Sequence, residues 1–134
     1  MEDRVNQFGY DLIRNDVLKE LLGKEHDSIL YWVGKTLARK NILSTVEEMI
    51  PFFEKAGWGK LSLLQEKKEL HIFELKGSWM TDKDERCYQL EAGFLAQQIE
   101  HSQGCITGAT YKKKKDYILI HVETDKRDAI QEKR

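Results

Sequence analysis

Residues 90–101 read LEAGFLAQQIEH. At 100° per residue, Leu95, Ile99, Ala92 and Ala96 join Tyr88 in one apolar arc, and Leu90, Phe94 and Cys87 make a second. Glu91 and Gln98 fall between the arcs, while Gln89 and Glu100 lie on the far side. A surface helix needs one apolar stripe; a helix apolar on two flanks has neighbours on both, most simply a sheet and another helix. Gly93 costs about 1 kcal/mol relative to Ala in a helix interior, and a close backbone approach is the usual reason for keeping it. The pattern predicts a helix over about Glu85 to His101.

On both sides of this helix the apolar period changes to two. Residues 60–76, KLSLLQEKKELHIFELK, read as two strands around a polar turn near Gln65–Lys68. CITGATY (105–111) and YILIHVE (117–123) flank a lysine run, and Ile118, Ile120 and Val122 alternate with Tyr117, Leu119 and His121. Towards the N-terminus, Ile13, Val17 and Leu21 recur at helical spacing with Leu18 and Leu22 beside them, and Gly23 supplies the stop. A second helix is expected over Asp27–Lys40, largely buried, with Lys35, Thr36 and Arg39 as its polar stripe and Gly34 as another close approach. Ser44-Thr45-Val46-Glu47 has the form of a capping box for a third helix. Pro51 is expected to kink or restart that helix, and Gly57 and Gly59 to end it. The order α-α-α-ββ-α-ββ implies an α+β fold with helices packed on an antiparallel sheet of two hairpins. Residues 1–8 are read as a frayed lead-in, 1–124 as one domain and 125–134 as a polar tail.

The chain has 134 residues, with 22 basic against 23 acidic. That balance gives no pull towards nucleic acid or an anionic membrane. No apolar run approaches the roughly 20 residues of a membrane span, and MEDRVNQFGYD lacks the apolar core of a signal peptide. Cys87 and Cys105 lie far apart with no C-x-x-C spacing. A cytoplasmic protein with buried, reduced thiols is expected.

The four histidines, His26, His71, His101 and His121, show no metal-binding spacing, so no metal and no cofactor are expected. The lysines at 112–115 read as a solvated hairpin turn, and Asp82, Asp84 and Glu85 as acids favouring the positive end of the helix dipole. No nucleophile elbow or phosphate-binding loop occurs, so no catalytic residue is assigned. Glu91 has two readings. Buried between the arcs, it would titrate high; otherwise it meets solvent or pairs with Lys35 or Arg39, and the second reading is favoured.

YWVGKTLAR (31–39), FFEKAGWGKL (52–61) and LEAGFLAQQIE (90–100), together with LIRNDVLKELLG (12–23), closely resemble the YslB-like proteins of Bacillota, a family of small proteins without an established activity. More distantly, the AGF helix followed by a terminal hairpin is similar to the vinyl-reductase-type domain, kin to TRAPP vesicle-tethering subunits and the ligand-binding superfamily of NO signalling and Golgi transport. That resemblance implies dimerisation through N-terminal helices and often an apolar pocket. In regulator proteins it also implies a cysteine-rich zinc site in the last hairpin. Here Tyr111, the lysine run and Tyr117 stand there instead, so the zinc site is not carried over. Two functions are therefore expected in parallel. The first is a non-enzymatic domain holding a small apolar or acyl-like ligand, with Trp32 and Phe94 as walls and Glu91 as polar handle. The second is a dimeric adaptor whose core is simply filled. In both, a homodimer forms through the first two helices. An enzyme using Glu91 as acid/base lacks a partner group and ranks last.

Overall fold

In the computed structural model, which describes residues 2–129 and side chains 6–127, the first helical run is one stretch in three parts. These are α1 (Glu2–Asp11), a π-helical segment (Leu12–Val17) and α2 (Leu18–Leu22). The π register is marked by the Leu18 N–H, which donates to the Ile13 carbonyl, five residues back. The lead-in expected at the N-terminus is therefore helical from Glu2. Gly23, at φ +62°, ends the run, and a short 3-10 turn leads into α3 (His26–Lys40).

Next come α4 (Val46–Lys55), β1 (Lys60–Glu66), β2 (Leu70–Lys76), α5 (Gln89–Gln103), β3 (Cys105–Lys113) and β4 (Ile118–Ala129). The N-cap of α4 is Thr45, one residue later than expected: its side chain accepts the Glu48 N–H at 3.3 Å, and Glu48 Oε1 accepts the Ser44 N–H at 2.6 Å. Pro51 lies inside a continuous α4. Both Pro51 and Glu47 are exposed, so the carbonyl that the missing N–H leaves free meets water.

The four strands form one antiparallel sheet in the order β1-β2-β4-β3, so the two hairpins meet along β2 and β4. This is the expected α+β architecture. Phe73, Leu75, Ile118, Ile120 and Val122 point to the core, each at most 1% exposed. A bulge at Leu64 turns that side chain out to solvent, and the β3–β4 register shifts between Cys105 and Thr107, where β4 carries the extra residues. The polar tail expected from Asp125 is strand as far as Ala129, because the backbone at Cys105 pairs with Ala129. Pairing needs only main-chain groups, so a polar sequence does not forbid it. Residues 130–134 lie outside the described residues. No helix among the described residues is long and apolar enough to cross a membrane.

Helix α5 has the two neighbours its composition requires. One flank packs on β3 and β4 and the other on α3. A Cβ at Gly34 would stand 2.2 Å from the Leu90 carbonyl oxygen, and one at Gly93 would stand 2.1 Å from that of Tyr31. The two helices therefore cross backbone to backbone, with a glycine from each at the contact. Beside the crossing, Phe94 stacks on Phe52 at 4.8 Å between centroids, and Phe53 and Trp58 close edge-on around it. Buried Gln98 accepts the Leu43 N–H at 3.1 Å and donates to the Asn41 carbonyl at 2.7 Å, fastening the α3–α4 connection.

Candidate functional site

The N-terminal helical run presents two i,i+4 rows with opposite fates. Tyr10, Arg14, Leu18 and Leu22 face the core. Ile13, Val17 and Leu21 face solvent at 59%, 45% and 73% exposure. Phe8 and Leu12 are exposed beside them, and α3 adds Trp32 at 60% and Val33 at 40%. The outer surface of the N-terminal run thus carries an apolar row among exposed charges such as Asp16, Lys19 and Glu20, with a polar seam on its inner side.

That seam is built on Arg14, which is 3% exposed. Its Nη2 donates to Glu91 Oε1 at 2.6 Å and to the Cys87 carbonyl at 2.8 Å, while Nη1 donates to the Tyr10 hydroxyl at 2.6 Å. Although burial by itself favours the neutral form, the Glu91 carboxylate and the Tyr10 oxygen hold the guanidinium proton more firmly than usual. Glu91 is fully buried, and its partner is Arg14 rather than Lys35 or Arg39. Lys35 is itself buried, 3.6 Å from Glu100, with its ammonium over the rings of Tyr31 and Trp32. The polar stripe expected along α3 is therefore partly inside.

A second buried arginine, Arg86, repeats the device. Its Nη2 donates to Asp11 Oδ1 at 2.6 Å, and its Cζ lies 4.3 Å from the Trp79 ring centroid and 5.0 Å from that of Tyr10. Asp84 accepts the Arg86 N–H at 2.9 Å and the Tyr88 hydroxyl at 2.5 Å. Of the acids expected to favour the start of the central helix, Asp84 is spent in this loop, and α5 starts at Gln89 rather than near Glu85. Arg14 Nε, Glu91 Oε2, and Arg86 Nε and Nη1 are buried without a hydrogen-bond partner among the described residues.

The expected ligand residues do not surround one space. Phe94 is enclosed in the aromatic cluster, Glu91 is engaged by Arg14, and Trp32 stands on the outer surface. Clefts of about 730, 680 and 710 Å³ lie along the end of the sheet, between α4 and β1, and between Tyr10 and Trp79. None is lined by Trp32, Glu91 or Phe94. Two apolar arcs on α5 are fully used by two packing partners, leaving no free wall. The last hairpin carries only one thiol, Cys105, and its Tyr111 ring packs against Tyr88 at 5.8 Å, so a cysteine-rich site does not fit there.

The sequence offered no metal-ligand spacing, yet the fold gathers His26, Asp27 and Cys87, with one donor atom of each within 4.8 Å of the others. His26 Nδ1 lies 2.7 Å from Asp27 Oδ1, and this hydrogen bond holds the carboxyl below the usual carboxylate range. Burial pushes the Cys87 thiol up.

Burial makes Tyr31, Tyr88 (reinforced by Asp84) and Tyr111 ionise late, the last pushed up to about 12. Unfolded tyrosines ionise near 10. Between about pH 10 and 12 the unfolded chain thus loses protons that the folded chain keeps. Stability should be undiminished by these groups below pH 10 and fall as pH rises through that window. Thermal melts across pH 8–12 test this, and Tyr111→Phe should flatten the fall.

A family model described as a protein of unknown function (DUF2507) matches residues 7–123. The uncharacterized protein YslB of Bacillus subtilis (strain 168) is 40% identical over 135 residues, covering 96% of this chain and 91% of that protein. A crystal structure of a vinyl-4-reductase family protein from Methanocaldococcus jannaschii, at 1.90 Å, matches with a TM-score of 0.60 and 20% identity, over 72% of this chain and 68% of that one. The YslB-like resemblance is borne out, and the more distant likeness is one of fold.

Proposed function

The chain belongs to the DUF2507 family, and from that premise we propose that it is a non-enzymatic, homodimeric adaptor of the cytoplasm with a filled core. The observation that carries this reading is the outward row of Ile13, Val17 and Leu21 on one helical run, with Phe8 and Leu12 exposed on the same run. Contiguous exposed apolar side chains on a folded domain mark an interaction surface, and a symmetric pair is the commonest way of covering one. The seam beneath supports the same reading. One buried arginine–carboxylate pair and one half-buried pair hold the helical run in register, so its apolar row is presented on a fixed frame rather than on a loose arm. Both cysteines are free thiols, which suits a reducing compartment.

The alternative, a domain holding a small apolar ligand beside α5, has less support because Trp32, Glu91 and Phe94 share no cleft. Native mass spectrometry separates the two: a dimer without added mass supports the adaptor, and a co-purifying small molecule supports the ligand reading.

Sedimentation at micromolar concentration is the primary test. A mass near twice 15.8 kDa is expected, and a monomer at all concentrations rejects the proposal. Val17→Lys should give a folded monomer. A folded dimer from that variant would place the contact elsewhere.

A further inference from the structure

We propose that His26, Asp27 and Cys87 bind a divalent transition-metal ion of the zinc type, where the start of α3 meets the approach to α5. The three donors come from two separate parts of the chain and lie within 4.8 Å of one another. Donors around a tetrahedral zinc ion stand roughly 3.5 Å apart. The His26–Asp27 pair at 2.7 Å must therefore open slightly, and a pair at the 4.8 Å limit must close in by about an ångström.

The setting allows that adjustment. His26 and Cys87 are held by packing at 5% and 8% exposure, whereas the Asp27 carboxylate, held by its hydrogen bond to His26, is 70% exposed with room on its solvent side. Arg14 steadies the Cys87 backbone by donating to its carbonyl at 2.8 Å. The second ring nitrogen of His26, Nε2, is buried with no partner among the described residues. The imidazole is thus fixed in place with only one of its nitrogens in use.

Charge and donor chemistry agree. A thiolate and a carboxylate together carry two negative charges, which one divalent ion balances. Arg14, which donates to the Cys87 carbonyl, is already matched by Glu91, and Arg86 by Asp11. Sulfur and imidazole donors select zinc over magnesium or calcium, whose sites are built from oxygen. As the ion binds, the Cys87 S–H proton leaves to solvent and sulfur coordinates as thiolate; nothing is oxidised or reduced. The Tyr111 hydroxyl neighbours the thiol.

Cobalt(II) is the probe, because a thiolate ligand gives it a near-ultraviolet charge-transfer band. Titration of metal-stripped, full-length protein should raise that band to saturation at one equivalent, and added zinc should bleach it. Cys87→Ser should abolish the band, and Cys105→Ser should leave it unchanged. Asp27→Asn changes an exposed side chain. It should keep the fold by circular dichroism and raise the cobalt dissociation constant about tenfold or more. The proposal is overturned by the absence of a band, by a band that survives Cys87→Ser, or by unchanged affinity in Asp27→Asn.

Discussion

Glu91→Ala is expected to lower stability by about 3–5 kcal/mol, the usual cost of removing one partner from a buried ion pair. Most of that loss is the Arg14 charge left behind. The guanidinium stays ionised, sits at 3% exposure, and would retain only the Tyr10 hydroxyl and the Cys87 carbonyl as acceptors. Arg14→Met combined with Glu91→Leu removes both charges at similar volume and should be far milder, near neutral or even stabilising. Urea unfolding of the wild type, the single and the double variant measures all three. A single variant within 1 kcal/mol of wild type would mean that the helical run is not fastened through this pair. Hydrogen exchange adds a spatial readout: in Glu91→Ala the amides of the N-terminal run should lose protection before those of the sheet. The same variant should also weaken the dimer, since the apolar row stands on the run that Arg14 anchors.

Arg14 also shows what the sequence did and did not disclose. The order of elements was legible because the apolar period switches from 3.6 to two at each hairpin. The two-sided packing of α5 was legible because its apolar residues occupy two arcs with glycine between them. The identity of the Glu91 partner was missed because a charged residue is assigned to the surface by default. A signal was nevertheless available: Arg14 occupies the same i,i+4 row as Tyr10, Leu18 and Leu22, the row that packs inward. Trp32, expected as a ligand wall, stands on the outer surface for the converse reason. On α3, both Trp32 and Lys35 border the apolar face. The lysine stem goes inside because Glu100 and two aromatic rings receive its ammonium, and the tryptophan is left at the rim. No local pattern could reveal the meeting of His26 and Asp27 with Cys87, which only the packing of α3 on α5 brings about.

The crossing of α3 and α5 makes the second large prediction. A Cβ at Gly93 would lie 2.1 Å from the Tyr31 carbonyl oxygen and 3.3 Å from the Lys35 nitrogen. Ordinary contact begins near 3.4 Å, and the obstacle is backbone, so no side chain can turn aside to make room. The helices must separate by about an ångström at their tightest point, which disturbs the Phe94 cluster on one side and the sheet contact on the other. Alanine regains roughly 1 kcal/mol of helix propensity over glycine. Overpacking at this site should exceed that gain, leaving a net loss of about 2–3 kcal/mol for Gly93→Ala, with Gly93→Leu no milder. For a chain of this size that corresponds to a fall in Tm of roughly 10 °C. Gly34→Ala should behave alike, since its Cβ would meet the Leu90 carbonyl oxygen at 2.2 Å and the Phe94 nitrogen at 2.9 Å. Because one separation relieves both clashes, the double variant should lose less than the sum of the singles, by about 1 kcal/mol or more. Strict additivity would show that the two glycines do not share one contact. A Gly93→Ala protein melting at the wild-type temperature would show that the backbones do not meet at all.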